Sequence, residues 1–171
     1  MIMPKHISRK QGFTLIELLI VIGILGILAA GLLAAIDPLE QLKRGRDTQK
    51  RNVAVEVDNA FLRFYSIQGS MPWGTVAYAT TLAGAIADGS IASLTSSGEL
   101  KSTFTSAVAN YDDQMWVLGE ANGESLYVCL RPESKSIRMD PATIYTNVTQ
   151  APPGTGVGCP GITALCYFCV R

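Results

Sequence analysis

Few residues in this chain have a type and spacing that could do chemistry. One glutamate, Glu17, lies inside an apolar run from residue 13 to residue 36, FTLIELLIVIGILGILAAGLLAAI. Just upstream, the Lys10-Gln11-Gly12 junction with Phe13 ends a short basic segment and offers a point of proteolytic processing. Four cysteines, Cys129, Cys159, Cys166 and Cys169, stand in the last quarter of the chain. A carboxylate in hydrocarbon costs about 2.5–3.5 kcal/mol on insertion scales, so such a residue faces a partner and marks function. A freed α-amino group on Phe13 would supply a nearby cation. The plainer alternative is a glutamate that snorkels to the interface.

Other chemistries lack their residues. The single histidine, His6, lies in the basic leader, so no histidine-based hydrolase set is available. No dinucleotide or phosphate-loop glycine pattern is present. Asp112-Asp113 and Asp140 are too few and too far apart for a calcium loop, which needs six to eight oxygens. Cys166-Tyr167-Phe168-Cys169 has redox CxxC spacing, but such a motif usually opens a helix, and here it ends an alternating, strand-like run. A four-cysteine zinc site needs two close pairs, and Cys129 and Cys159 are 30 positions apart. Structural disulfides are expected instead. No catalytic residue, metal or cofactor is expected, and the chain reads as a non-enzyme.

The elements that carry these residues follow from composition. The chain has 171 residues, 14 basic and 14 acidic, with 48% hydrophobic and 16% charged residues. Mean hydropathy is +0.25. That excludes a disordered chain, a collagen-like chain and a basic nucleic-acid binder. The uncharged stretch from Leu18 to Ile36 would be about 28 Å long as a helix. It is long enough to cross a hydrocarbon core of about 30 Å, and longer than the core of an ordinary signal peptide. Positive charge flanks it on both sides, in residues 1–12 and 43–52, so charge bias gives no orientation.

Gly12-Phe13-Thr14-Leu15-Ile16-Glu17, set between a basic leader and an unbroken apolar run, resembles the N-terminal signature of type IV pilins and pseudopilins. The resemblance covers roughly Lys10 to Gly31. It implies that Gly12 ends a leader removed by a membrane-embedded prepilin peptidase, and that Phe13 becomes the new, N-methylated terminus. It implies assembly roles for Thr14 and Glu17, the latter toward the N-terminus of a neighbouring subunit. It also implies a single-pass precursor in the cytoplasmic membrane that becomes an extracellular pilus filament. The partners would be membrane lipid, the pilus assembly machinery and identical subunits; nucleic acid is not expected. Many members carry a proline where this chain has Ala34, so any melted stretch of the helix would depend on Gly23, Gly26 and Gly31.

The chain divides into a leader (1–12), an apolar helix (13–36), an amphipathic second helical half (37–68) and a head (69–171). Val53, Val57, Ala60, Phe61, Phe64 and Ile67 recur in steps of three and four, so they share one helical face. That stripe fades between Lys43 and Asn52, which predicts a solvated or subunit-facing neck whose cations pair with acidic groups on neighbouring heads. The Gly69–Gly74 stretch ends the helix. Residues 75–110 read as loop with short helices at Thr81–Ala87 and Ser102–Ala109. Strands are expected at Gln114–Leu118, Ser125–Leu130, Ser136–Met139, Ile144–Val148 and Ile162–Val170. The predicted class is α+β, a long N-terminal helix on a small antiparallel sheet.

Period-two alternation puts Leu126, Val128 and Leu130 on one face, matched by Ala164, Cys166, Phe168 and Val170, both toward the helix stripe. Tyr127, Cys129 and Arg131 then face outward with Tyr167, Cys169 and Arg171. Same-face placement favours Cys129–Cys169 with Cys159–Cys166. The alternative, Cys129–Cys166 with Cys159–Cys169, needs a bulge or a twisted strand. Three functional readings remain open. They are a polymerising pilus subunit, a pseudopilin of a type II secretion-like system or minor pilin, and a single-pass anchored binding domain that does not polymerise.

Overall fold

The computed structural model describes residues 12–35, 37–121, 125–140, 145–149, 153–155 and 165–171. The chain divides into two units, residues 1–38 and residues 39–171. The first contains α1 (Leu15–Ala35), which runs without a break through Gly23, Gly26 and Gly31. It is apolar on every side, and Leu15–Leu33 is long and apolar enough to cross a membrane. Its large side chains are all about half exposed or more, from Val21 at 48% to Leu15 at 82%. A helix that buries none of its apolar surface needs lipid or other helices around it.

In the second unit, α2 (Pro38–Gln68) starts with proline at its first helical position, where the missing N–H costs nothing. It ends at Gly69, whose φ of +73° suits glycine and whose N–H donates to the Tyr65 carbonyl. A four-stranded antiparallel sheet is built from β1 (Tyr78–Thr81), β2 (Met115–Gly119), β3 (Leu126–Leu130) and β6 (Phe168–Val170), in the order β1-β2-β3-β6. The short strands β4 (Tyr145–Asn147) and β5 (Gly154–Thr155) form a second pair. Between β1 and β2 lie α3 (Leu82–Ala87), α4 (Ser90–Ser96), α5 (Phe104–Val108) and a 3-10 turn at Asp112–Gln114; α6 (Lys135–Arg138) follows β3. The layout is α+β, as the sequence predicts.

Ala54, Val57, Ala60 and Phe61 of α2 share one core with Val117 of β2, with Leu126, Val128 and Leu130 of β3, and with Phe168 of β6. α3, α4 and α5 close its side through Leu82, Ile91, Leu94 and Phe104. The outer face of the sheet is covered too. Leu118, Tyr127, Cys129 and Tyr167 are buried with Val148 in a second, smaller cluster. Trp73 stacks on Tyr78 at 4.2 Å and meets Phe61 edge-on. It lies so close to Gly119 that a Cβ there would stand 2.6 Å from the indole ring, which explains a glycine inside β2.

Three expectations change. The predicted strand at Ser136–Met139 is the helix α6, whose N-terminal amides are capped by carboxylates from α2. Residues 75–110 hold one strand, β1, and one helix, α4, that their composition does not announce. The predicted solvated or subunit-facing neck is exposed over most of its length but buries Asp47 and Lys50, at 0% and 2% exposure. Of the last predicted strand, Phe168–Val170 is β6, and residues 162–164 lie outside the described residues.

Candidate functional site

At the start of α1 the backbone and two side chains form a closed pair of contacts. The Thr14 N–H donates to Glu17 Oε2 at 2.9 Å, and the Thr14 hydroxyl donates to the same oxygen at 2.8 Å. The Glu17 N–H donates back to Thr14 Oγ1 at 3.3 Å. This is a capping box, in which residues three apart satisfy each other's orphan amides at a helix N-terminus. The helix dipole also favours a carboxylate in the first turn. Glu17 therefore has a local partner set that the sequence reading omitted, although a threonine followed three residues later by glutamate before an apolar run is the usual signal for it. Both contacts that Glu17 accepts fall on Oε2 alone.

Gly12 and Phe13 precede the box in non-helical chain, and Phe13 is 84% exposed. A Cβ built on Gly12 would meet nothing within 4 Å. The described residues place no packing demand for glycine here. Lys10 and Gln11 lie outside the described residues.

The head carries the other predicted residues. Cys129 and Cys169 are directly opposed in the β3–β6 pairing and are joined by a disulfide. This is the pair that shared the outer face. Cys166 is buried and also disulfide-bonded. Cys159 lies outside the described residues, and so does its expected bond to Cys166. Among the described residues no group of three or more histidines, cysteines or acids stands close enough to hold a metal.

The sequence reading missed a buried polar set along α2. Both Asp47 carboxylate oxygens accept from the Glu133 N–H, at 2.9 and 3.0 Å, and Asp47 Oδ2 accepts from the Ser134 N–H at 2.7 Å. Glu40 Oε1 accepts from the Lys135 N–H at 2.7 Å. Together they cap α6, which at four residues is too short to hold itself. Lys50 Nζ donates to Gln114 Oε1 and Glu133 Oε1, both at 2.6 Å. Arg46 reaches Glu133 Oε2 at 2.9 Å, Arg44 lies 3.8 Å from Glu40, and Arg51 stands over the Phe168 ring at 4.7 Å. Four of the five basic residues of the neck thus have partners within their own chain, where pairing with neighbouring heads was expected. The signal was spacing: Glu40, Asp47, Lys50, Ala54, Val57 and Phe61 continue one face in steps of seven, three and four.

Asp58 is buried on the same helix, and its Oδ1 has no hydrogen-bond partner among the described residues. Loss of solvation there pushes its carboxyl up to about 6.

Comparison with known proteins bears on the N-terminal part. No curated protein and no solved structure matches the chain. Residues 7–33 match the family model of the prokaryotic N-terminal methylation motif, which spans the Gly12–Phe13 junction, the capping box and most of α1. The chain thus carries the N-terminal methylation motif characteristic of type IV pilins and pseudopilins, set on a helix long and apolar enough to cross a membrane.

Proposed function

We propose that this protein is a structural subunit of a type IV pilus or pilus-like filament. The leader is removed between Gly12 and Phe13, Phe13 is N-methylated, and α1 passes from the cytoplasmic membrane into the core of a filament of identical subunits. The observation that carries this reading is the placement of the methylation motif on a helix that is apolar on all sides and has no buried residue in its membrane-length stretch. An anchored domain that never polymerises needs neither a processing glycine nor an acid in the first turn of its span.

The roles of the motif residues follow the chemistry of their positions. Gly12 offers a small, open site for a membrane-embedded peptidase. Glu17 lies at the mature N-terminus, where its capping contacts hold one carboxylate oxygen and leave the other to meet the amine of an adjacent subunit. The head, held by its own core and a disulfide, forms the outer surface. Intact-mass measurement of sheared filaments tests the proposal. A mature chain of 159 residues starting at N-methylated Phe13 is expected. A surface protein that retains Gln11, or the absence of filaments containing this chain, would overturn it.

A further inference from the structure

Charge is sorted at the α2–α6 junction. Glu40 and Asp47 point inward, are 8% and 0% exposed, and bind the amides at the start of α6, while Asp37 and Asp140 are exposed at the outer ends of these segments. Glu133 is already matched by Lys50 and Arg46. Of the other cations near this junction, Arg131 is exposed, and Lys43 and Arg138 are half-buried. Lys43, Arg131 and Arg138 line a cavity of about 280 Å³ with Gln114, Pro132 and Glu133. Lys135 is exposed beside it, at the start of α6. Lys43, Arg131 and Lys135 make no ion pair among the described residues.

Apolar side chains are exposed on the same segments. Leu39 and Leu42 are 67% and 65% exposed on the first turns of α2, and Met139, just past α6, is 79% exposed. Exposed leucine and methionine among lysine and arginine form the surface that sits at a lipid headgroup boundary, where apolar contact and attraction to anionic lipid add together. This end of the head also follows the span directly in sequence, since Leu39 is six residues after Leu33.

We propose that this basic face is a docking surface for anionic phospholipid headgroups, and that it holds the head against the cytoplasmic membrane before assembly. The inference rests on the reading of α1 as a membrane anchor. It does not depend on polymerisation. Departure from the membrane into a filament would then require release of this face as well as extraction of α1. Acidic lipid content and ionic strength would both tune that step.

The test uses the full chain in nanodiscs of phosphatidylcholine alone or mixed with phosphatidylglycerol. Amine labelling at Lys43 and Lys135 is read by peptide mass spectrometry. Two internal controls are built in. Lys50 is buried and should stay unreactive. Lys101 is exposed near Glu99, which pairs with Arg63, some 20 residues and about 30 Å further along α2; it should label equally in both discs. Each basic residue at an anionic surface contributes about fivefold, so labelling of Lys43 and Lys135 should fall at least about fivefold in the anionic discs. The protection should vanish at about 1 M salt, where screening acts within about 3 Å, and in Arg131→Gln/Arg138→Gln. The single variant Arg131→Gln, at an exposed position, should reduce it in part and guards against misfolding of the double variant.

Equal labelling in the two lipids overturns the proposal. Protection in phosphatidylcholine discs on addition of inorganic phosphate would assign the cavity to a free anion and also overturn it. Protection that depends on the number of copies per disc and not on lipid charge would assign the face to a second subunit, with the same consequence. A chain that fails to co-purify with either disc removes the anchoring reading and this inference together; a chain that docks but never forms filaments removes only the proposed polymerisation.

Discussion

Lys50 and Glu133 meet at 2.6 Å, and they join the middle of α2 to the turn before α6 across 83 residues of sequence. The lysine is 2% exposed, while the Glu133 side chain is 27% exposed and also bonded to Arg46. The two ends of this pair are therefore unequal. Glu133→Ala would leave a buried ammonium with Gln114 alone, and breaking such a pair from one side is costly. Lys50→Met would keep the length of the side chain and leave Glu133 with Arg46 and with solvent. Glu133→Ala is expected to cost about 2–3 kcal/mol, or roughly 5–10 °C in Tm, and Lys50→Met clearly less. Thermal unfolding of the oxidised protein checks the order. Equal losses would show that the pair acts only as a packing contact.

Asp47 leads to a related expectation with a different readout. Its two oxygens serve two amides at the start of α6, those of half-buried Glu133 and fully buried Ser134. Asp47→Ala should destabilise the head by about 2–4 kcal/mol, since buried donors are left unmade. Hydrogen exchange should rise first over residues 133–139, before the sheet is affected. Asp47→Asn keeps one acceptor and should fall between.

These contacts also show where the sequence was legible. Strict alternation in Leu126–Leu130 and Phe168–Val170 set both faces of the sheet, because one face had to meet the apolar stripe of α2. The disulfide partner of Cys129 followed from the same period. α6 was read as a strand because Ser136-Ile137-Arg138-Met139 alternates, and nothing local reveals that Asp47 and Glu40, about 90 residues earlier, cap it. β1 was hidden by Tyr78-Ala79-Thr80-Thr81, where small polar residues carry no clear hydrophobic period. The neck was misread because its buried face changes from alanine, valine and phenylalanine to glutamate, aspartate and lysine. Period reasoning counts apolar residues, and it goes blind where a helix buries charge against matched charge. At the N-terminus the motif was legible but the bonding within it was not: Thr14 and Glu17 carry assembly roles in the resemblance, and their contacts with each other go unread.

Asp58 gives the head a pH dependence. Its carboxyl titrates near 6 in the folded chain, against an ordinary value of 3.8. The folded state then holds a proton between about pH 4 and pH 6 that the unfolded chain has released. Stability therefore falls as pH rises through that window, and the loss persists above it. About 1–3 kcal/mol is expected to be lost between pH 4 and pH 7 from this group. Asp58→Asn, neutral at every pH, should flatten that part of the profile and leave the protein more stable than the wild type at pH 8. Denaturant unfolding at a series of pH values measures it. An unchanged slope in the variant would show that the carboxylate is solvated or paired in solution.

The capping box separates two roles of Glu17. As a helix cap it acts through Thr14, and loss of such a cap costs about 1 kcal/mol. As a charged group in the membrane-length helix it acts through a neighbouring amine, which requires ionisation. Glu17→Gln retains an oxygen able to accept from the Thr14 N–H, and it lacks the charge. Thr14→Val removes the hydroxyl, and it leaves both the charge and the Thr14-position N–H contact. If pairing with the amine aligns subunits, Glu17→Gln should be processed normally yet yield few sheared filaments, nearly as few as Glu17→Ala, while Thr14→Val should assemble at close to the wild-type level. If capping dominates, the order reverses, with Thr14→Val impaired and Glu17→Gln spared. Precursor processing followed by intact mass, alongside filament yield from the same cells, distinguishes a failure of cleavage from a failure of assembly. Wild-type filament yields from all three variants would leave Glu17 as a residue that merely reaches the interface.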